Sequence, residues 1–241
     1  KEAMAAIQEI YVNELDKPEV FFDFAGTIPG YTVSGSERDS ILYASAENHY
    51  AQGSYDKAAE SFQHYIDKNP KGIYATKAKF LKAESLSLAT RWEGALTAYE
   101  DVIKDGAGPY LASSLYKAAL IAYNQREDMP RAFKYYSEYI PLAETPEQQY
   151  ESTLGALRSA FKMKNAAGVI EMAEKVIDHP RTTDDIRAIA HYYTATIALE
   201  KKDPDRAIKA YNEVIRLNSA ELAAEARYQI SSIYESRGQT D

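Results

Sequence analysis

Residues 55–66 read Tyr55-Asp56-Lys57-Ala58-Ala59-Glu60-Ser61-Phe62-Gln63-His64-Tyr65-Ile66. The apolar residues Ala58, Phe62 and Tyr65-Ile66 follow an i, i+4, i+7, i+8 spacing. That spacing places them on one face of an α-helix, because an α-helix completes a turn about every 3.6 residues. The stretch therefore predicts an amphipathic helix with one buried face.

The same pattern recurs along the chain, where Ala58, Ala95, Ala132 and Ala207 mark its copies. An aromatic residue lies four positions after each of these alanines: Phe62, Tyr99, Tyr136 and Tyr211. The first three copies are evenly spaced, and the longer interval before the last leaves room for one further copy around Val169. A second helical stripe precedes each copy, and a short polar break separates the two, so the sequence predicts a series of helix–turn–helix units.

Local signals predict where several helices begin and end. Thr145-Pro146-Glu147-Gln148 combines an N-cap threonine, a proline at the first helical position and a capping-box glutamine. Ser36 with Asp39 predicts a second, less typical capping box. Asn69-Pro70 and His179-Pro180 predict helix ends, because the residue before a proline avoids the helical region.

The composition argues against several classes of function. The chain has 241 residues, with 28 Lys and Arg against 36 Asp and Glu, and its formal net charge is −8. Nucleic acid is therefore not an expected partner, because nonspecific binding to it requires a basic surface. The absence of cysteine excludes disulfides, thiolate metal sites and cysteine nucleophiles. No window approaches the roughly 20 apolar residues of a membrane-spanning helix, so no membrane span is predicted.

No catalytic motif emerges from the remaining chemistry. The four histidines lack the i, i+4 pair of a zinc protease helix. The glycine-containing stretch 26–36 lacks the lysine of a phosphate-binding loop and reads as an extended connector, with a docking loop as the alternative. We predict no catalytic residue, no metal and no cofactor, and hence a protein that is not an enzyme.

On these residues the units resemble the tetratricopeptide repeat (TPR) family. In the first clear unit, the hallmark positions of the family hold Leu42, Ala46, His49-Tyr50, Gly53, Tyr55, Ala58, Phe62 and Pro70. The resemblance implies an all-α fold, a right-handed α-solenoid of helix–turn–helix repeats that forms an α-α superhelix. The chain is most similar to bacterial (Bacteroidetes-type) cell-envelope members, a likeness that favours a periplasmic or envelope location over a cytoplasmic one.

The repeat pattern divides the chain into eight segments. They are a degenerate N-terminal TPR-like helix pair over 1–30, a connector over 31–36, TPR 1 over 37–70, TPR 2 over 71–108, TPR 3 over 109–144, a degenerate TPR 4 over 145–181, TPR 5 over 182–218, and the first helix of a truncated further TPR over 219–241. We expect the sequence to be a fragment of a longer repeat protein. We also expect its last helix to promote self-association, because a repeat cannot bury its apolar face alone.

The resemblance implies that the first helices of the repeats line a concave face where ligands bind. The candidate binding residues on these helices are Tyr43, Glu47, Tyr50, Phe80, Glu84, Tyr116, Tyr123, Tyr192, Thr196 and Tyr228. Tyrosine, of which the chain has 20, offers a large contact area with few rotors to freeze, which suits a binding surface. The alternative is that these tyrosines pack against the next helix of the superhelix.

The charge of this face predicts the kind of partner. Glu47 and Glu84 would repel the terminal carboxylate that chaperone-tail-binding members clamp, so we expect a neutral or basic protein or peptide. The expected function is that of a non-catalytic scaffold within a larger assembly. Two alternatives remain open: a glycan-binding module, or the targeting arm of a multidomain enzyme whose catalytic part lies outside this segment.

Overall fold

A computed structural model describes residues 2–217 and 220–238, and of Ala220 it describes the backbone only. Three of the predicted segments extend beyond the described residues. These are 1–30 at its first residue, 182–218 at its last residue, and 219–241 at both ends.

The described part of the chain is helical and contains no strand. Its α-helices are α1 (Glu2–Gln8), α2 (Pro18–Gly26), α3 (Gly35–Ala51), α4 (Tyr55–Lys68), α5 (Ala75–Leu88), α6 (Trp92–Lys104), α7 (Leu111–Asn124), α8 (Met129–Tyr139), α9 (Pro146–Lys162), α10 (Ala166–Ile177), α11 (Asp184–Glu200), α12 (Pro204–Arg216) and α13 (Ala220–Ser236). A π-helical segment, Glu9–Glu14, follows α1, and a 3-10 turn, Ile140–Leu142, follows α8. The all-α prediction is confirmed.

The sequence signals explain the bounds of these helices. In α4 the predicted stripe is buried: Ala58, Phe62 and Tyr65 are each 0% exposed. Thr145 forms the predicted capping box at the start of α9 by accepting a hydrogen bond from the backbone N–H of Gln148. The box expected at Ser36 and Asp39 is wrong, because α3 is capped instead by Ser34 and Glu37.

The structure divides into two compact units, Lys1–Ala118 and Ala119–Asp241, with the boundary inside α7. In the first unit α3 packs on α4, α4 on α5, and α5 on α6. The N-terminal helices complete this unit, because Phe21 and Phe22 are buried with Tyr43 in one core. The hydroxyl of Ser45 donates to Asp16 Oδ1 at 3.3 Å and adds a polar link to the same packing.

In the second unit the helices from α8 to α13 also pack in chain order, and α13 contacts both α12 and α11. Its C-terminal core contains Tyr211, Val214, Ala226 and Ile233. Tyr228, on α13, is 67% exposed. Among the described helices, none combines the length and the apolarity needed to cross a membrane.

Candidate binding surface

Tyr43, the first of the predicted binding residues, is almost completely covered. Its side chain is 4% exposed, and its ring stacks on that of Tyr74 at a centroid distance of 4.3 Å. Its hydroxyl donates to Glu47 Oε1 at 2.9 Å, one helical turn further along α3. Burial raises the pKa of Tyr43 to about 12. The ring of Tyr43 is therefore a packing element, and Glu47 presents the polar group at this position.

Glu47 forms an ion pair with a lysine on the next first helix. Lys77 Nζ, on α5, lies 2.9 Å from Glu47 Oε1, and the two side chains are 43% and 44% exposed. Burial raises the pKa of Glu47, but the hydrogen bonds from Lys77 and Tyr43 outweigh it and leave that pKa below its usual value. The hydrogen bonds with Tyr43 and Glu47 raise the pKa of Lys77. Both groups are therefore charged at neutral pH and remain accessible to a partner.

Glu84 repeats this arrangement on α5. Lys117 Nζ, on α7, lies 2.6 Å from Glu84 Oε2, and the Glu84 side chain is only 13% exposed. The hydroxyl of Tyr99, from the second helix α6, also donates to Glu84. Burial first, and the charge of Glu84 second, raise the pKa of Tyr50. The structure thus brings Tyr50 and Glu84 near one another and adds a lysine beside them.

Stacked aromatic rings lie beside these ion pairs. Phe80 is half-buried, and its ring stacks on that of Tyr110 at a centroid distance of 4.7 Å, as the ring of Tyr43 stacks on that of Tyr74. In both cases the second ring comes from the residues just before the following first helix. Tyr116, on α7, is half-buried. We call the set formed by Glu47, Tyr50, Lys77, Phe80, Glu84 and Lys117 the first-helix surface.

The predicted residues of the second unit have a different chemistry. Lys162 Nζ lies 4.7 Å from the ring centroid of Tyr123, a distance typical of a cation–π contact. Tyr192 is half-buried, and its ring centroid lies 5.7 Å from that of Tyr211. The hydroxyl of Thr196 donates to the backbone carbonyl of Tyr192 at 3.0 Å. These side chains therefore meet cations, rings and backbone instead of forming ion pairs.

Tyr228 differs from these residues. It is the most exposed of the tyrosines predicted for binding within the described residues. Tyr43 is buried, and Tyr123 and Tyr192 are half-buried. These three tyrosines therefore do not form the flat, exposed ladder that a glycan site would favour.

The sequence pattern missed the lysines that pair with the two glutamates. Lys77 lies three residues before Phe80, whereas Lys117 lies one residue after Tyr116, so the two lysines do not share a repeat position. Because only the packing of adjacent first helices brings them to Glu47 and Glu84, no periodic signal could have identified them. Their charges neutralise the two carboxylates that were expected from the sequence to repel a terminal carboxylate.

The same surface offers no metal site in the part of the chain that the structure describes, where no group of three or more His, Asp or Glu residues could hold an ion. The hydroxyl and carboxylate groups found here bind one another and the lysines.

Comparisons with known proteins identify the repeat. A family model described as Tetratricopeptide repeat matches residues 43–110, 80–148, 184–221 and 194–241, which together make up more than half of the chain. No curated protein sequence matches this chain.

Three solved structures are also similar to this chain, each at low sequence identity and with a TM-score below 0.5. One is the crystal structure of YrrB, described as "a TPR protein with an unusual peptide-binding site", with 13% identity, a TM-score of 0.47 and coverage of 78% of this chain and 91% of that one. A second is BtubC (BKLC) from P. vanneervenii, with 14% identity, a TM-score of 0.42 and 91% coverage of both chains. A third is a tetratricopeptide repeat protein from Parabacteroides merdae ATCC 43184, with 13% identity, a TM-score of 0.42 and coverage of 95% of this chain and 98% of that one.

The chain belongs to the tetratricopeptide repeat family. Members of this family are generally non-catalytic repeat scaffolds that bind protein or peptide partners. Within each of the two units the helices pack in chain order, as in a TPR helical solenoid.

Proposed function

We propose that this protein is a non-catalytic scaffold whose first-helix surface binds a peptide segment of a partner protein within a larger assembly. The observation that carries the proposal is the presence of two ion pairs, Glu47–Lys77 and Glu84–Lys117, which link neighbouring first helices beside stacked aromatic rings.

These groups match the needs of an extended peptide. A carboxylate accepts more than one hydrogen bond, and an ammonium group has three donors, so each pair keeps bonding capacity for a ligand. A peptide backbone supplies both N–H donors and C=O acceptors. The half-buried rings of Tyr50 and Phe80 offer apolar area for its side chains.

The charge balance favours a neutral or basic partner segment. A terminal carboxylate would have to compete with Glu47 and Glu84 for the same lysines. Separating either pair would leave a carboxylate without its counter-charge, at a greater cost for Glu84 because it is mostly buried. A neutral peptide bonds to the pairs without separating them.

The test begins with peptides selected from a phage-displayed random library against the whole chain. A selected peptide is then synthesised, and its affinity is measured for the wild type and for the reversed pair Glu47→Lys/Lys77→Glu. Reversal preserves an ion pair but exchanges the donor and acceptor positions. We expect about tenfold weaker binding, equivalent to about 1.4 kcal/mol.

The matched control reverses an exposed ion pair on the second helix α12, Glu213→Arg/Arg216→Glu, and we expect it to bind like the wild type. Circular dichroism verifies that both variants retain their helix content. Equal affinity for the wild type and the Glu47/Lys77 reversal, or a library that yields no binding peptide, would contradict the proposal.

A further inference from the structure

The second unit contains a cavity whose lining includes none of the residues assigned above. It measures about 800 Å³ and lies between α8, α9 and α10. Cavities of roughly 300–1,000 Å³ are the size at which proteins hold small ligands or side chains. Its walls include Phe133, Ile140, Pro141, Met172 and Pro180, so they are largely apolar.

The first unit has the same junction two repeats earlier, where the pocket is much smaller. The smaller pocket there, about 210 Å³, is lined by Gln63, Ile66, Lys79, Lys82, Ala98, Asp101, Lys104 and Asp105. Gln63 of the smaller pocket is equivalent to Ser137 of the larger cavity. The same difference in residue number, added to six other residues of the smaller pocket, gives six residues that line the larger cavity: Ile140, Thr153, Met172, Lys175, Asp178 and His179. The two pockets are therefore equivalent positions in different repeats.

Two lysines fill the junction of the first unit. Lys79 Nζ lies 2.6 Å from Asp105 Oδ2, and Lys82 Nζ donates to Gln63 Oε1 at 2.5 Å. In the second unit the residues equivalent to the lysines are Thr153 and Ala156, which are too short to cross the gap. The larger cavity thus occupies the space that long basic side chains fill in the earlier repeat.

The lining of the cavity keeps hydroxyl groups without partners. Tyr150 is 7% exposed, and its hydroxyl, like that of Ser137, is buried without a hydrogen bond. Both hydroxyl oxygens are closed to solvent, so a ligand reaches them only after a side-chain rotation. Because burial of an unpaired polar group is unfavourable, a hydrogen bond to either hydroxyl would relieve a cost that the folded protein already carries. The ring of Tyr150 stacks on His179 at 4.5 Å, which holds both rings at the wall.

The charged groups at the cavity leave one carboxylate available. Glu171 is paired with Lys175 at 2.7 Å. The Asp178 carboxylate forms no ion pair within the described residues, although it also lines the cavity. A cation that enters the cavity therefore finds a counter-charge there without breaking an existing pair.

The geometry points to this cavity as a second binding site, which takes an arginine or lysine side chain presented by a partner peptide. The methylene groups of such a side chain fit apolar walls, and its cationic end supplies only donors. Hydroxyl groups and the free carboxylate of Asp178 are acceptors for those donors. Lys79 and Lys82 show that the fold accommodates this kind of side chain at the equivalent position. The inference is independent of the function proposed for the first-helix surface.

The methyl group of Met172 provides a direct probe, because this residue lines the cavity and is one of only four methionines in the chain. The whole chain is labelled with methyl-13C methionine, and the Met172 signal is identified with a Met172→Leu variant. The labelled protein is then titrated with acetyl-Gly-Arg-Gly-amide and acetyl-Gly-Lys-Gly-amide. The apolar control probe is acetyl-Gly-norleucine-Gly-amide.

We expect the basic peptides to shift the Met172 signal saturably, with the signals of the other three methionines unchanged, and to bind about tenfold more tightly than the norleucine peptide. The variant Thr153→Lys/His179→Asp copies Lys79 and Asp105 into this junction and should weaken binding by about tenfold. A second variant, Ser137→Gln, copies Gln63 and should change affinity in the same direction if the double variant does not fold.

Three results would overturn the inference: no shift of Met172, equal binding of the norleucine peptide, or unchanged binding by folded variants that fill the cavity. The Glu47/Lys77 reversal separates this site from the proposed function, because it should leave the Met172 titration unchanged.

Discussion

At the scale of single residues, one buried hydrogen-bonded group fixes the turn between α4 and α5. The hydroxyl of Tyr65 donates to Asp39 Oδ1 at 2.7 Å and accepts the backbone N–H of Tyr74 at 3.2 Å. Tyr65 is 0% exposed and Asp39 is 7% exposed. Gly72 lies against this group, so that a Cβ atom at position 72 would overlap both the Asp39 Oδ1 and the Tyr65 hydroxyl oxygen.

Gly72→Ala should therefore lower the free energy of unfolding by about 1–3 kcal/mol, because the new methyl group must displace a buried hydrogen bond. Urea unfolding followed by circular dichroism measures the change. Gly94→Ala is the matched control in the same unit, since its Cβ would meet only Leu86 at 3.6 Å. The control should be neutral or stabilising, as expected for alanine inside a helix. Equal stability of the wild type and Gly72→Ala would refute the argument.

The same residues explain one wrong expectation from the sequence. Ser36 and Asp39 have the spacing of a capping box, but Asp39 accepts the hydroxyl of Tyr65 in the core. Ser34 and Glu37 have that spacing too and cap α3, with the Ser34 N–H donating to Glu37 Oε2 at 2.7 Å. Local spacing could not choose between the two boxes, because a side chain from the following helix engages one of the two carboxylates.

At the scale of helices, a residue with a left-handed backbone conformation follows the first helix of each pair. The residues with positive φ at these turns recur once in every repeat: Asp16, Gly53, Thr90, Glu127, Lys164 and Lys202. The backbone N–H after this residue bonds back to the preceding helix, as from Ser54 to the His49 carbonyl and from Arg91 to the Leu86 carbonyl. This is the Schellman type of helix end, which favours glycine at the left-handed position.

Thr90 has a φ of 59°, which is unfavourable for a β-branched residue. Thr90→Gly should raise the free energy of unfolding by about 0.5–1 kcal/mol, because the relief of strain exceeds the added freedom of the unfolded chain. Thr90→Ala serves as the control, since it removes the branched side chain but keeps Cβ, and it should gain less. Thermal and urea unfolding compare the three proteins. A Thr90→Gly protein less stable than Thr90→Ala would contradict this account.

At the scale of the whole molecule, burial of tyrosine links stability to alkaline pH. Burial raises the pKa of Tyr43 to about 12 from its ordinary value of 10.0. The folded protein therefore holds protons that the unfolded chain releases above about pH 10, so the contribution is complete below that pH and is lost as the pH rises. Burial also raises the pKa values of six other tyrosines: Tyr50, Tyr65, Tyr99, Tyr192, Tyr193 and Tyr211.

We expect the free energy of unfolding to fall between about pH 10 and about pH 12, with tyrosinate absorbance rising late in the folded protein. Urea unfolding across this range measures the loss. Tyr43→Phe should reduce the steepness of the pH dependence, because it removes one of the groups with a raised pKa. A pH dependence that is the same in wild type and Tyr43→Phe would count against the role of Tyr43.

The sequence by itself determined the helices, their repeat and the buried face of the second helices. These properties depend on periodicity within one element, which alanine and aromatic spacing expresses directly, as in Ala58, Phe62 and Tyr65. They were sufficient to predict the all-α fold and the helices from which a first-helix surface would be built.

Only the tertiary structure decided which groups meet across that surface and where a cavity opens. Lys77 and Lys117 reach Glu47 and Glu84 from adjacent helices, and the two lysines share no repeat position. The cavity in the second unit likewise depends on side-chain length at Thr153, set against the facing second helices. Such contacts are fixed by the packing of different helices. The spacing of residues along the sequence carries no information about how far a side chain reaches from one helix to another.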